Sequence, residues 1–273
     1  MSLTDFTALA HHLDLWQLQP DGIPFDTPQS WLLPVRHLSQ PALLKICKAS
    51  SDERHTAALL DFYAGDGAVR MILAKGPAVL MERACGVRSA WALATEGCDD
   101  EAADILGGVV KRLHAPRQGK PPTGLITLQN WFSVLFRRRG QSMLFAKAAD
   151  TADELLASPT DQGVLHGDLH HNNVVHDTTR GWLAIDPKGL WGERAYDVAN
   201  LLRNPQHHPH IVCDSDRMWR HANHYAARLD LDVRRILRFA FAHAALSAAW
   251  CMDDGLSPEF SLRTAETAAD LIA

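Results

Sequence analysis

The chain carries the sequence VLHGDLHHNN at residues 164–173 and GWLAIDPKG at residues 181–189, and these two stretches decide the fold. Short apolar runs flank the polar segment 177–181, which is typical of the turn of a β-hairpin. The pattern centres this turn between Thr179 and Arg180. Polar and ionisable residues therefore gather on a loop that follows a short apolar strand, and such loops are common sites for chemistry.

A hairpin with this centre pairs Val174 with Ile185, so that Asn173 and Asp186 face each other at its open end. Directly opposed residues of an antiparallel pair point to the same face. An amide oxygen and a carboxylate at that spacing are ligands that Mg²⁺ takes when substrate phosphates and waters complete its shell. Asp168 lies five residues before Asn173 on the same loop. The three residues match, in spacing as well as type, the parts that kinase-like enzymes use for phosphoryl transfer.

Both aspartates also have a purely structural interpretation. Asp168 alone is compatible with a turn or helix-capping carboxylate, and Asp186 with the end of a strand. The catalytic interpretation depends on their joint spacing with Asn173.

A zinc site built from the histidines of residues 166–171 is not predicted, because the chain has no HExxH motif and no paired CxxC motif.

Phosphoryl transfer of this kind needs a strand lysine to hold the nucleotide phosphates and a helix glutamate to hold that lysine. Lys45 lies in the apolar strand 43–47, where an ammonium group must find an anion or carry a desolvation cost. Glu53 lies on the apolar stripe of a helix predicted over residues 51–64. We predict that the two charges form a pair. Two alternatives stay open: Lys45 reaches an edge through its long stem, or Glu53 completes a capping box with Ser50.

Length and charge exclude several classes of protein. The 273 residues carry 27 Lys and Arg against 32 Asp and Glu, for a formal net charge of −5. This balance offers no broad basic surface, so nucleic acid is not an expected partner. The chain has no run of about 18 uncharged apolar residues and no basic segment followed by an apolar leader. We therefore expect neither a membrane span nor a signal peptide. We expect a cytoplasmic location.

The composition changes along the chain, which predicts two lobes in an α+β fold. Up to residue 83, short apolar runs are broken by proline and glycine, and beyond it helix-period stretches dominate. The predicted strands of the first lobe cover residues 31–35, 42–47, 69–73 and 78–81. The predicted helices of the second lobe cover residues 99–114, 131–139, 143–157, 216–229, 232–253 and 259–272. We expect a small β-rich lobe (1–83) and a larger, mainly helical lobe (84–273).

Four segments carry a resemblance to a known family. They are residues 165–173 (LHGDLHHNN), 181–189 (GWLAIDPKG), 193–201 (ERAYDVANL) and 246–250 (LSAAW). The chain resembles the aminoglycoside phosphotransferase family of the protein-kinase-like fold, and within it the streptomycin 6-phosphotransferase and hydroxyurea phosphotransferase group. The resemblance implies ATP- and Mg²⁺-dependent transfer of the γ-phosphoryl group to a hydroxyl of a small molecule such as streptomycin or hydroxyurea, which would inactivate an antibiotic.

The resemblance also implies a role for each site residue. Asp168 would be the catalytic base, and Asn173 and Asp186 would be the metal ligands. Lys45 would hold the phosphates, with Glu53 as its partner.

The nucleotide contacts depend on two further segments. Met81, Glu82 and Arg83 resemble the hinge whose backbone hydrogen-bonds adenine. The chain has no GxGxxG motif before its strand lysine. Residues 26–30 stand in its place, where the backbone amides and hydroxyl groups, including that of Ser30, would contact the phosphates.

Further residues are candidates for supporting roles in the site. Lys188 is a candidate for neutralising charge on the transferred phosphoryl group. Asp197 resembles a family position that anchors the catalytic loop. Five acidic residues of the helical lobe either receive a cationic aminoglycoside or form a solvated face: Asp214, Asp216, Asp253, Asp254 and Glu259.

Two rival functions stay open. One is a non-catalytic kinase-like module that binds nucleotide or a partner protein; its mark would be the loss of a catalytic position, and none is missing. The other is a phosphotransferase that acts on an unrelated metabolite or on a protein, with no role in antibiotic resistance. The oligomeric state is left open.

Overall fold

The first part of the chain folds as an antiparallel sheet with two helices, in a computed structural model that describes residues 3–48 and 55–273. The strands are β1 (Gln19–Pro20), β2 (Phe25–Asp26), β3 (Ser30–His37), β4 (Gln40–Cys47), β5 (Met71–Lys75) and β6 (Ala78–Glu82). The helices are α1 (Leu3–Leu15) and α2 (Thr56–Tyr63). The strand order is β1-β3-β4-β6-β5, and β2 pairs with β3.

Strand β4 runs between β3 and β6, and its side chains alternate between two environments. Ala42, Leu44 and Ile46 are buried in a small apolar core on one face of the sheet. Leu43 and Lys45 lie on the other face, where Leu43 packs against the main core of the protein. Because successive side chains of a strand point to opposite faces, β4 holds Lys45 on the side of the sheet that faces the rest of the chain.

The rest of the chain is mainly helical, with two small sheets. The helices are α3 (Ala90–Thr95), α4 (Asp99–Leu113), α5 (Leu128–Trp131), α6 (Ser133–Arg137), α7 (Met143–Ala157), α8 (Ala195–Leu202), α9 (Pro209–Val212), α10 (Ser215–Leu229), α11 (Val233–Asp253) and α12 (Glu259–Ile272). The strands are β7 (Ile126–Thr127), β8 (Gln162–Leu165), β9 (Val174–Asp177), β10 (Gly181–Ala184) and β11 (Leu190–Glu193). Strands β9 and β10 form a hairpin, and β11 pairs with β7 and β8. No helix in the described part of the chain has the length and apolar character needed to cross a bilayer.

The hairpin forms as predicted, but its register differs by one residue. Val174 pairs with Ala184 and not with Ile185. Asn173 therefore lies opposite Ile185, whose backbone N–H donates to the Asn173 carbonyl over 2.9 Å. The predicted direct pairing of Asn173 with Asp186 is wrong, although both residues still lie at the open end of the hairpin.

The turn explains this shift. Three residues, 178–180, join the strands, and the Asp177 carboxylate accepts hydrogen bonds from the backbone N–H groups of Thr179 (2.9 Å) and Arg180 (3.0 Å). Gly181 then takes a left-handed φ of 72°, which glycine adopts without steric cost. The sequence pattern indicated a turn with an even number of residues. The three-residue loop, followed by a left-handed glycine, begins the second strand one residue earlier than that turn would.

Other differences from the prediction have local causes. Helix α8 was not predicted, because its eight residues are too few for a helical period to stand out in the sequence. The predicted helix 131–139 is interrupted: α5 already ends at Trp131, α6 covers only Ser133–Arg137, and a 3-10 turn begins at Arg139. The predicted strand 69–73 begins at Met71, because the Val69 N–H donates to the Ala184 carbonyl of the hairpin (3.0 Å).

The segment that connects the first part of the chain to the helical part contacts the β9–β10 hairpin. Strand β6 ends at Glu82 and α3 begins at Ala90, so the boundary predicted at residue 83 falls in the connecting segment. The Gly86 N–H donates to the His176 carbonyl (2.9 Å), and the Glu82 carboxylate contacts the Arg180 guanidinium.

His243, on α11, gives the helical part a measurable pH dependence. Its ring is 2% exposed and lies 4.9 Å from the Tyr196 ring, and burial together with the positive charge of Arg203 lowers the pKa of His243 well below its usual range. The unfolded chain binds a proton here near pH 6.5 and the folded chain does not. Below about pH 6.5, this one group therefore reduces the free energy of unfolding by about 1.4 kcal/mol per pH unit.

A His243→Leu variant removes this contribution and leaves the other histidines in place. Urea unfolding at pH 7, 6 and 5 should show the stability difference between wild type and variant shifting in favour of the variant by about 1.4 kcal/mol per unit below pH 6.5. A difference that does not change with pH would mean that His243 is not held neutral.

Candidate active site

The loop after β8 is held by a buried carboxylate. Asp197, in the first turn of α8, is fully buried and accepts hydrogen bonds from the backbone N–H groups of His166 (2.9 Å) and Gly167 (2.8 Å) and from His114 Nε2 (2.9 Å). Gly167 has a φ of 85°, and a Cβ there would lie 2.6 Å from the Leu190 side chain, so the position requires glycine. Asp197 therefore anchors the loop, as the resemblance predicts.

His166 connects this loop to the end of the hairpin. Its fully buried ring places Nε2 2.8 Å from the Ile185 carbonyl, and the Asp168 N–H donates to its Nδ1 over 3.3 Å. Burial lowers the pKa of His166 despite the surrounding carboxylates. A neutral ring with its proton on Nε2 satisfies both contacts at once. His166 therefore braces the loop, and both its nitrogens are engaged within the protein.

Asp168 faces a cleft in the helical part. Its side chain is 36% exposed and lines a cavity of about 730 Å³. The Asp168 backbone carbonyl accepts a hydrogen bond from Asn173 Nδ2 (2.8 Å), and Asn200 Nδ2 lies 3.4 Å from Asp168 Oδ1. Since the Asn173 amide nitrogen is turned toward Asp168, its amide oxygen is the atom left to ligate a cation.

Lys45 reaches the same end of the hairpin from the first sheet. Its Nζ lies 2.5 Å from Asp186 Oδ1, and its side chain is only 1% exposed. The alternative in which Lys45 extends to an exposed edge is therefore wrong. The predicted pairing of Lys45 with Glu53, and the capping box from Ser50 to Glu53, lie outside the described residues.

The oxygen atoms at the open end of the hairpin suit a magnesium ion. Asp186 lies two residues beyond the end of β10 and has a φ of 58°, in the left-handed region, and its carboxylate meets Lys45 there. A carboxylate and an amide oxygen are hard ligands of the kind that Mg²⁺ takes alongside phosphate oxygens and water. The chemistry of Asn173 and Asp186 therefore fits the ion that the family implies.

The predicted hinge lies at the end of β6, and its side chains are engaged. Met81 is 2% exposed. The Glu82 carboxylate accepts a hydrogen bond from the Arg70 N–H (2.8 Å), and Arg83 pairs with Asp21. Any contact of this segment with adenine would therefore come from its backbone, and that contact stays a prediction.

Residues 26–30 form the turn between β2 and β3. The Thr27 N–H donates to the Ser30 carbonyl and the Ser30 N–H donates to Thr27 Oγ1, both over 2.9 Å. Lys48 Nζ lies 2.6 Å from Asp26 Oδ1. Ser30 is fully buried, whereas Gln29 lines the cleft beside Asp168. The phosphate contact of Ser30 stays a prediction, and the structure does not place its side chain at the surface.

The cleft in front of Asp168 combines aromatic, acidic and basic side chains. Trp131 and Trp250 lie edge to face on its wall, with ring centroids 5.1 Å apart. Lys188 and Arg203 also line it. The predicted acidic residues divide between two positions. Asp253 and Asp254 line the cleft, and Asp214, Asp216 and Glu259 do not.

A match to one protein family accounts for this arrangement. The family described as aminoglycoside/hydroxyurea antibiotic resistance kinase matches residues 15–255. The chain belongs to this kinase family. The kinase-like fold and the resemblance stated from the sequence are therefore confirmed.

Two relatives and one solved structure resemble this kinase along most of its length. Streptomycin 3''-kinase of Klebsiella pneumoniae is 42% identical over 247 residues, which cover 89% of this chain and 92% of the relative. Streptomycin 6-kinase of Streptomyces griseus is 31% identical over 266 residues, which cover 91% and 83%. A thermostable mutant of aminoglycoside phosphotransferase APH(4)-Ia, solved with ADP and hygromycin B, has a TM-score of 0.64 at 13% identity, with 96% and 97% coverage. That structure shows the shared fold.

Two residues near Asp168 in this kinase were missed in the sequence. Asn200 lies within a segment that carries the family resemblance, but amide residues are too common to single out without a partner. Arg203 is a lone charge directly after Leu201 and Leu202 and three residues after Asn200, which was a usable signal for a buried polar network.

Proposed function

We propose that the protein is an ATP- and Mg²⁺-dependent kinase that phosphorylates a hydroxyl group of streptomycin and thereby inactivates the antibiotic. One observation carries the proposal. Asp168 opens onto the cleft, and the same loop is joined through Asn173 to the hairpin end where Asp186 meets Lys45. A base, a pair of metal-ligating oxygens and a phosphate-binding lysine are the parts that phosphoryl transfer requires.

The chain's own residues perform the transfer mainly by positioning. Asp168 accepts a hydrogen bond from the acceptor hydroxyl and aims its oxygen at the γ-phosphorus, in line with the departing ADP. As the new O–P bond forms and the bond to ADP breaks, the hydroxyl proton passes to the Asp168 carboxylate. Lys45 holds the nucleotide phosphates, and Lys188 adds positive charge near the transferred group. A magnesium ion held by Asn173 and Asp186 would neutralise phosphate charge.

The shape of the cleft supports a cationic acceptor. The ring pair Trp131 and Trp250 offers apolar faces, and Asp254 supplies negative charge on the same cavity, whereas the Asp253 carboxylate is paired with Arg138. Guanidinium groups, such as those of streptomycin, are attracted both by carboxylates and by aromatic faces. The greater identity with the 3''-kinase than with the 6-kinase favours the 3''-hydroxyl as the site of phosphorylation, in place of the 6-hydroxyl that the sequence resemblance implied.

A panel of acceptors tests this proposal. The protein is incubated with Mg·ATP and, separately, with streptomycin, other aminoglycosides and hydroxyurea, while ADP release and acceptor mass are followed. Streptomycin should gain one phosphoryl group, and two-dimensional phosphorus–proton NMR should couple that phosphorus to the proton at position 3''.

Each of the other outcomes would change a different part of the proposal. Coupling to the proton at position 6 would correct the position and keep the substrate. Phosphorylation of hydroxyurea alone would replace the substrate and keep the kinase. ATP binding without phosphorylation of any acceptor would contradict the proposal and favour a non-catalytic module or an unrelated metabolite.

A further inference from the structure

A buried polar network connects Asp168 to the interior of the helical part. Its members come from α8, the segment after it, α11 and α12, and each is at most 7% exposed. They are Asn200, Arg203, Asn204, Ser247 and Ser261. Buried polar groups need hydrogen-bond partners, so each contact in such a network restricts its neighbours.

Asn200 is the member of the network that contacts Asp168. Contacts on the side away from Asp168 fix the orientation of the Asn200 amide group. Its Oδ1 accepts from Arg203 Nη1 and from Asn204 Nδ2, both over 3.4 Å. Because two donors face this oxygen, the amide nitrogen must point the other way. It donates to the Leu169 carbonyl (3.0 Å) and to Asp168 Oδ1 (3.4 Å).

The Arg203 guanidinium is held, on the side away from Asn200, by a pair of serine hydroxyl groups. Its Nη2 donates to Ser247 Oγ, and Ser261 Oγ lies 3.1 Å from the same hydroxyl. Within the described part of the chain, no Asp or Glu lies close enough to form a salt bridge with Arg203. Burial lowers the pKa of Arg203, and the negative charge of Asp168 is the largest influence that raises it. The carboxylate that balances this buried cation is therefore the one at the reaction centre.

We propose that Asn200 and Arg203 are positioning residues that hold the Asp168 carboxylate in its productive orientation. Arg203 fixes the Asn200 amide, the amide occupies Asp168 Oδ1, and Oδ2 is left to meet the acceptor hydroxyl. This inference rests on the proposed function, because it concerns the orientation of the catalytic base. Misplacement of a reacting group by about 1 Å can lower turnover on the order of 10²-fold.

An Asn200→Asp variant tests the contact with Asp168 without changing side-chain size. The new carboxylate can still accept from Arg203 but cannot donate to Asp168. We expect kcat to fall on the order of 10²-fold, while KM for Mg·ATP changes by less than about threefold, because the nucleotide residues are untouched. Arg203→Gln should act in the same direction, and Arg203→Lys should retain more activity because it keeps the charge.

Arg217→Gln is the matched control. Arg217 is also a buried arginine, and it donates to the carbonyls of Leu202 and Asn204, but its carboxylate partner is Asp99 on α4. Its loss should lower the melting temperature and leave kcat per folded molecule unchanged within about threefold. Folded fractions are measured by circular dichroism at the assay temperature, so that turnover is compared between folded molecules.

The two proposals fail in distinguishable ways. If the wild type phosphorylates an acceptor and folded Asn200→Asp and Arg203→Gln proteins keep its full kcat, the positioning role is overturned and the proposed function stands. If Arg217→Gln lowers kcat as much as Arg203→Gln, the effect is general to buried arginines and the specific role is likewise overturned. A wild type that phosphorylates no acceptor overturns the proposed function and this inference with it.

Discussion

An Asp168→Asn protein will turn over about 10²- to 10⁴-fold more slowly than the wild type, which is the usual contribution of a positioned acid or base. The asparagine keeps the size of the side chain and the contact with Asn200, but it cannot take the acceptor proton. Initial rates at saturating Mg·ATP and acceptor measure the effect. KM for Mg·ATP should change little, because Asp168 lines the acceptor cleft.

Asp216→Asn is the control for this substitution. Asp216 is an exposed aspartate in the first turn of α10, and it does not line the cleft. The control should keep wild-type turnover, and both variants should keep the wild-type circular dichroism spectrum. An Asp168→Asn protein with full turnover would remove Asp168 from the mechanism.

Asp197→Ala has the largest expected effect on stability. It leaves the buried N–H groups of His166 and Gly167 and the ring of His114 without their shared acceptor. Each unsatisfied buried donor costs about 1–3 kcal/mol, so we expect a loss of roughly 3–5 kcal/mol in the free energy of unfolding. Urea denaturation at pH 7 measures it, with Asp216→Ala as the exposed control, which should stay within about 0.5 kcal/mol of wild type.

The pH dependence of this loss provides a second readout. Burial alone would raise the pKa of Asp197, but the hydrogen bond and charge of His114, with the other donors, outweigh it and the pKa lies below its usual range. A carboxyl group with a depressed folded-state pKa stabilises the protein above the unfolded value, near 3.9, and loses this effect as pH falls below it. The difference between wild type and Asp197→Ala should therefore persist from pH 8 to 5 and shrink only below about pH 4. A variant as stable as wild type at pH 7 would show that the carboxylate does not anchor the loop.

The sequence predicted the position of the candidate reacting groups better than that of their supports. Asp168, Asn173 and Asp186 were selected by their spacing, and the structure places them on one loop and at the adjoining end of the hairpin, while their roles stay predictions. The hairpin register was wrong by one residue, since the three-residue turn that the Asp177 carboxylate holds, with Gly181 in the left-handed region after it, cannot be obtained from apolar alternation.

The supporting residues were harder to predict for a different reason. Helix α8 has only eight residues, too few for a clear helical period, and Asn200 on it could not be placed beside Asp168 from the sequence. Asp197 on the same helix was assigned only through the family resemblance. Contacts between elements far apart in the chain depend on packing, and short-range sequence patterns do not contain that information.

The proposed reaction moves the γ-phosphoryl group of ATP to streptomycin through Asp168. The most direct test is a single-turnover reaction with ATP labelled at the γ-phosphate, Mg²⁺ and streptomycin, run in parallel with wild type and Asp168→Asn. Label should appear on streptomycin with the wild type, and almost none should appear there with the variant over the same time. Label only on inorganic phosphate or on the protein, or equal label on streptomycin with both proteins, would overturn the proposed reaction.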